Sequence, residues 1–334
     1  MLIKKVMIIV RLQAVIILSF FVTFTTSSSI SFESIGHLQS SSNDIIVGGM
    51  NGPVNFSRPE GERLFYYYIP STYTPSKPLP FIIYFHGYSG DWTQGVELNQ
   101  TIDAENNGYI IAFGRGTPSA EPPHYLGWNG GRCCLFNPPI PVDDVIYAKT
   151  VVRLVSERVA IANDRVYAMG WSNGGFLGER LGCEAWDVFA GVAVDASAVI
   201  IGNSSEEGLA QCDAAFNSGH IDYIHFHGTD DTIVAWIGGP NSPVRYPSAL
   251  ENISRWVTRA GCDNVQMETY NDGKNFTNIR WPNCRDHTSV ELMTVWYGTH
   301  WWWTLDDGNF ATADYIMKAF TRGYIQRQNV KSSL

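Results

Sequence analysis

A serine hydroxyl becomes a useful nucleophile only when a base takes its proton and the developing oxyanion finds hydrogen-bond donors. The stretch Gly170-Trp171-Ser172-Asn173-Gly174-Gly175 has the residue types for that chemistry. Glycines on both sides of Ser172 permit a turn too sharp for side chains, which would push the serine out of the backbone at a strand-to-helix junction. A helix starting there turns its unpaired amides toward the substrate, so the N–H of Asn173 is one expected oxyanion donor. The acid and the base should lie downstream. Asp230 and Asp231 come after Gly228-Thr229, and Gly298-Thr299-His300 ends the last long apolar run, giving the order Ser, Asp, His. The residues alone leave Asp230 and Asp231 both open as the acid that orients His300. A second oxyanion donor is expected from His86-Gly87-Tyr88-Ser89-Gly90, where the N–H of Tyr88 is the candidate and His86 supports the loop.

Groups so far apart in the chain need strands that end near one another. Runs rich in Val, Ile and aromatic residues occur at 63–69, 81–85, 109–113, 165–169, 188–194, 223–227 and 291–297. Helical stretches at 144–159 and 174–183 lie between them, and another at 311–325 closes the chain. Short apolar runs alternating with helices predict a three-layer α/β fold with a mostly parallel central sheet. His225 and His227 share one face of a strand and with Asp230 loosely suggest a metal site. No third ligand cluster accompanies them, so one of the two is read as packed behind the acid loop, with no metal and no cofactor. Asp143 and Asp144 are expected to cap the helix that begins beside them. Trp301 and Trp302 beside His300, together with Trp128, are candidates for the lining of a substrate cleft, against the alternative of core packing.

The chain of 334 residues is 45% hydrophobic and 16% charged, enough apolar material to build a large core and to exclude general disorder. Its formal charge is −9 and it has no Lys/Arg cluster, which argues against nucleic acid as a partner. Lys4, Lys5 and Arg11 precede an apolar run at 14–24 that is followed by small polar residues. That order predicts a signal peptide over 1–28, with a retained anchor as the alternative. Its cleavage would remove three basic residues and no acid, leaving −12 on a secreted, extracellular protein without membrane attachment. No repeat or linker interrupts the chain after about residue 40, so a single catalytic domain over 40–326 and a short tail at 327–334 are expected. The oligomeric state is left open.

Six cysteines suit an oxidising compartment and predict three disulfides. Cys262 and Cys284 enclose a local loop and pair most naturally with each other. Adjacent cysteines rarely bond, so Cys133 and Cys134 are expected to pair with Cys183 and Cys212 in an order the sequence leaves open. Sequons at Asn55, Asn99, Asn203, Asn252 and Asn275 are candidate glycosylation sites.

Taken in order, these motifs resemble the secreted polyhydroxybutyrate depolymerase-like esterases, a group with the α/β-hydrolase fold that includes feruloyl and acetylxylan esterases. The resemblance runs over about residues 44–325. It is carried by His86-Gly87, Trp128-Asn129 with Cys133-Cys134, Val142-Asp143-Asp144-Val145, and Asp164-Arg165-Val166-Tyr167 before the serine turn. It continues through His227-Gly228 with Asp231, and ends at Gly298-Thr299-His300 and the Trp after it. By position it implies Ser172 as nucleophile, Asp231 rather than Asp230 as acid, and His300 as base. The family often has Gly-Gly-His followed by x-Trp-Pro, where this chain has Gly298-Thr299-His300 and Trp301, Trp302 and Trp303, so the rim of the cleft departs from the pattern. The implied function is serine carboxylesterase activity on a polysaccharide- or polymer-linked ester. Feruloyl esters of cell-wall xylan come first, with polyhydroxybutyrate and acetylxylan as alternatives. A catalytically inactive secreted binding protein is the non-enzyme alternative.

Overall fold

The apolar runs become strands of one large sheet in the computed structural model, which describes residues 45–134, 138–216, 219–239, 245–263, 267–270 (backbone), 275–304 and 311–333. The expected signal peptide lies outside the described residues. The strands are β1 (Gly49–Arg58), β2 (Gly61–Ile69), β3 (Leu79–Phe85), β4 (Ile110–Gly114), β5 (Thr117–Pro118) and β6 (Leu126–Gly127) in the first part of the chain. They continue with β7 (Ile161–Trp171), β8 (Gly191–Asp195), β9 (Asp222–Gly228), β10 (Met267–Tyr270), β11 (Phe276–Trp281) and β12 (Val290–Val295). The helices are α1 (Thr93–Glu97), α2 (Gln100–Asn107), α3 (Asp144–Ser156), α4 (Asn173–Glu184), α5 (Ser205–Ala215), α6 (Ala249–Arg259) and α7 (Thr312–Ser333).

Ten strands pair in the order β1-β2-β4-β3-β7-β8-β9-β12-β11-β10, while β5 and β6 form a separate ribbon. The six central strands, β4 to β12 in that order, run parallel. Antiparallel strands extend both edges. Strand β3 shows why its residues suit the middle of such a sheet. Phe81, Ile83 and Phe85 enter the apolar layer shared with α3, α4, α5 and α6, whereas Ile82 and Tyr84 enter the opposite layer with α2 and α7. Both faces are therefore dry, and each buried large side chain contributes about 1.5–3 kcal/mol.

One sequence expectation changes here. Asp143 caps α3 by accepting hydrogen bonds from the amides of Val145 and Ile146, but Asp144 does not cap. Its carboxylate is buried 2.7 Å from the Arg63 guanidinium and also accepts the Asn129 amide at 2.7 Å. Residues 327–333 of the expected short tail are helical. They are the last turns of α7, held because Arg327 Nη1 donates to Asp222 Oδ2 at 2.6 Å.

Candidate active site

Strand β7 and helix α4 meet at Ser172, whose φ of 53° and ψ of −120° lie in a region that side chains rarely occupy. The turn is that tight because β7 and α4 pack directly on the neighbouring backbone. A Cβ on Gly170 would lie 2.3 Å from Gly174 O, and one on Gly174 would lie 2.0 Å from Phe85 O. The Ser172 amide donates to the Asp195 carbonyl at the end of β8 at 2.9 Å, which fixes the turn to the next strand.

Asn173 begins α4, so its backbone amide has no acceptor within the helix. Its buried side chain is fully used. Oδ1 accepts the Trp128 amide at 2.7 Å, while Nδ2 donates to Trp128 O at 3.0 Å and approaches Cys133 Sγ at 3.6 Å. The loop after β3 crosses in front of the serine, close enough that a Cβ on Gly87 would lie 3.6 Å from Ser172 Cβ. His86 braces that loop. Its Nδ1–H donates to Gly87 O at 2.8 Å, and its Nε2 accepts the Gly116 amide at 3.0 Å. Burial lowers its pKa to about 4, so the ring is neutral, as two hydrogen bonds of opposite sense require.

The acid loop comes after β9. Asp231 is buried and Asp230 exposed. Asp231 Oδ2 lies 2.7 Å from His300 Nδ1, and Oδ1 accepts the amides of Ile233 and Val234, each at 2.8 Å. Of the two carboxylates left open by the sequence, Asp231 is therefore the one in contact with the imidazole. The His300 ring packs at 5.5 Å on Trp171, the residue before the serine, so three loops converge over the ends of β7, β9 and β12.

His225 and His227 stack behind this loop. His227 Nε2 donates to Val234 O at 2.7 Å, and its Nδ1 lies 3.1 Å from His225 Nε2. Burial lowers the pKa of both, favouring the neutral rings that such a chain needs. The chain continues through Asn252 and Tyr223 to the carboxyl of Glu179. Among the described residues no group of three or more His, Cys, Asp or Glu side chains is placed to hold a metal ion.

Several candidates end elsewhere. Trp128 and Trp302 are each only 1% exposed and do not line a cleft. Trp128 donates to the His86 carbonyl at 3.0 Å and packs on Phe85, while Trp302 meets Tyr84 edge-on in the layer beneath α7. Trp301 is 45% exposed and lies edge-to-face with Trp171 on the His300 side. Asn55, Asn99, Asn203 and Asn275 are exposed, but Asn252 is fully buried and its amide donates to Glu179 Oε1 at 2.7 Å, which excludes a glycan there.

The disulfides depart from expectation as well. Cys262 pairs with Cys284, but Cys183 pairs with Cys212 and the adjacent Cys133 and Cys134 bond to each other. The physical reason is placement. Cys183 on α4 and Cys212 on α5 face each other within the core with Cα atoms 4.9 Å apart, whereas Cys133 and Cys134 lie in the loop beside Ser172. That loop, with Tyr88, Phe176, Val234 and Tyr246, lines a cavity of about 180 Å3 that opens onto Ser172. Neither the cavity nor the buried Asp195 was visible in the sequence. Asp195 ends β8, and burial, reinforced by nearby Asp231, holds its carboxyl well above the ordinary range and hence neutral.

The strand order, the serine turn and the acid and histidine loops can be compared with known proteins. The acetyl xylan esterase from Aspergillus awamori superposes on 82% of this chain and 99% of its own, with a TM-score of 0.58 at 14% identity. The fold is the α/β-hydrolase fold. In sequence, the chain is similar to feruloyl esterase B of Piromyces equi, 29% identical over 237 residues. That alignment covers 69% of the chain but only 41% of the relative's length, so the two share a segment rather than a whole protein. No family model matches the chain. The chain is thus similar in sequence to a carboxylic ester hydrolase of the feruloyl esterase type.

Proposed function

We propose that this protein is a serine carboxylesterase acting on feruloyl esters of plant cell-wall xylan. The observation that carries the reading is the 2.7 Å contact between His300 Nδ1 and Asp231 Oδ2, next to a serine in a strained strand-to-helix turn. The sequence similarity to feruloyl esterase B supports the ester class. In this reading His300 Nε2 takes the proton of Ser172 as the oxygen attacks the ester carbonyl, and Asp231 holds the ring and balances the imidazolium. The amides of Tyr88 and Asn173 receive the oxyanion. The tetrahedral intermediate collapses, His300 gives its proton to the departing alkoxide, and an acyl-serine remains. Water, deprotonated by His300, then attacks the acyl carbonyl and releases the carboxylic acid and free Ser172.

Secretion belongs to the same proposal and is supported by the basic-then-apolar leader and by three disulfides. Expression in a secreting host, with N-terminal sequencing of the medium fraction, tests it. The activity is tested by comparing initial rates on methyl ferulate, acetylated xylan and a hydroxybutyrate oligomer, with Ser172→Ala as control. Ferulate should be fastest, and the variant should lose turnover and fluorophosphonate labelling while keeping the wild-type melting temperature. Retention of most activity in Ser172→Ala would sink the assignment.

A further inference from the structure

The cavity beside Ser172 belongs to neither of the two apolar layers that sandwich the sheet. Its walls come from a third, small cluster in which Cys133, Phe176, Val234 and Tyr246 pack together above the strand ends, with Cys134 against them. An apolar cluster that closes around empty space next to a nucleophile leaves aromatic and sulfur surface ready for an apolar group. Its position relative to the proton donor tells which half of an ester enters. The lining includes Ser172 and Tyr88 but not His300. His300 must protonate the departing alkoxide, so the alcohol lies on its side, toward Trp171 and the exposed Trp301. The group on the far side of the carbonyl, within the cavity, is the acyl chain.

Resting on the esterase reading, we propose that the Cys133–Cys134 disulfide is a specificity-determining wall of this acyl pocket, and that the pocket selects a flat aromatic acyl chain over acetyl. A bond between neighbouring residues closes a small ring with the peptide itself, so the two sulfurs cannot swing away as free thiols would. They form a fixed, polarizable surface in the same cluster as Phe176 and Tyr246, suited to the face or edge of an aromatic ring. The wall is also tied to the chemistry: Cys133 Sγ receives Asn173 Nδ2 at 3.6 Å, and the amide of Asn173 is the proposed oxyanion donor. An acetyl group would leave most of the roughly 180 Å3 to water, whereas a phenylpropenoyl group extends along it.

The test uses 4-nitrophenyl ferulate and 4-nitrophenyl acetate, whose common leaving group confines any difference to the acyl side. The wild type should favour ferulate in kcat/KM. The Cys133→Ala/Cys134→Ala double variant should lower the ferulate-to-acetate ratio by about tenfold or more. A folded double variant with the wild-type ratio overturns the proposal. A second measurement needs no variant: ferulate, but not acetate, should slow the reduction of Cys133–Cys134 in the wild-type protein, read by alkylation and mass spectrometry. Equal reduction rates with and without ferulate also overturn it. A wild type that hydrolyses neither ester overturns the esterase reading itself, and this proposal falls with it.

Discussion

The carboxylate of Asp231 meets His300 from a single direction, because Oδ2 lies 2.7 Å from His300 Nδ1 while Oδ1 is held by the amides of Ile233 and Val234. Asparagine at this position could keep the shape but would present a neutral amide to the imidazole. Asp231→Asn should therefore lower kcat on methyl ferulate by about a thousandfold or more, with KM changed little. Steady-state kinetics check this, and a loss of less than tenfold would remove Asp231 from the proposed role.

Acid should destabilise the protein through its buried imidazoles. Burial holds the His86 pKa down to about 4 in the folded state, against an ordinary 6.5, and His225 and His227 move in the same direction. Between those values the unfolded chain binds protons that the folded chain refuses. Stability is fully present above about 6.5 and is lost as pH falls toward about 4, at a cost of about 3 kcal/mol for His86 alone. Thermal melts across this window should show a falling Tm, and a flat Tm would show that these rings accept protons in the fold.

Asp103 acts with the opposite sign. Burial, with Asp314 nearby, raises its pKa to about 7 from an ordinary 3.8. The folded state then holds a proton that the unfolded state has released, so stability is lost as pH rises through this range. Asp103→Asn should raise the Tm at about pH 8 and change it little at about pH 4. A lower Tm at the higher pH would mean that the charged carboxylate is stabilising.

Asn252 should carry no sugar despite its sequon. Its amide donates to Glu179 Oε1 and Tyr223 Oη, and its carbonyl accepts the Val199 amide at 3.2 Å. Asn252→Ala would leave buried groups unpaired and should cost about 1–3 kcal/mol in urea unfolding. Glycopeptide mapping of protein from a glycosylating host should find Asn252 bare. An occupied Asn252, or a neutral alanine variant, would contradict this packing.

The order of chemical groups along the chain was legible because each carries a local demand. Only glycine fits two residues before and after Ser172, so Gly170 and Gly174 mark the turn without any knowledge of its neighbours. The central strands were legible for a similar reason, since a strand covered on both faces is mostly apolar, as β3 and β4 are. Local pattern failed where a residue's fate depends on what packs over it. Asp143 and Asp144 both look like caps, yet only the presence of Arg63, from a distant strand, takes Asp144 into the core. Trp128 and Trp302 have the same composition signal as Trp301, but their chain positions direct them into layers closed by other elements. Pairing of Cys183 with Cys212 required α4 and α5 to meet, which left Cys133 and Cys134 to bond to each other at the serine. The sequence by itself determined which groups could do chemistry, because reactivity and backbone sterics reside in the residues. Tertiary structure alone decided what surrounds them, because burial and contact are set by segments far apart in the chain.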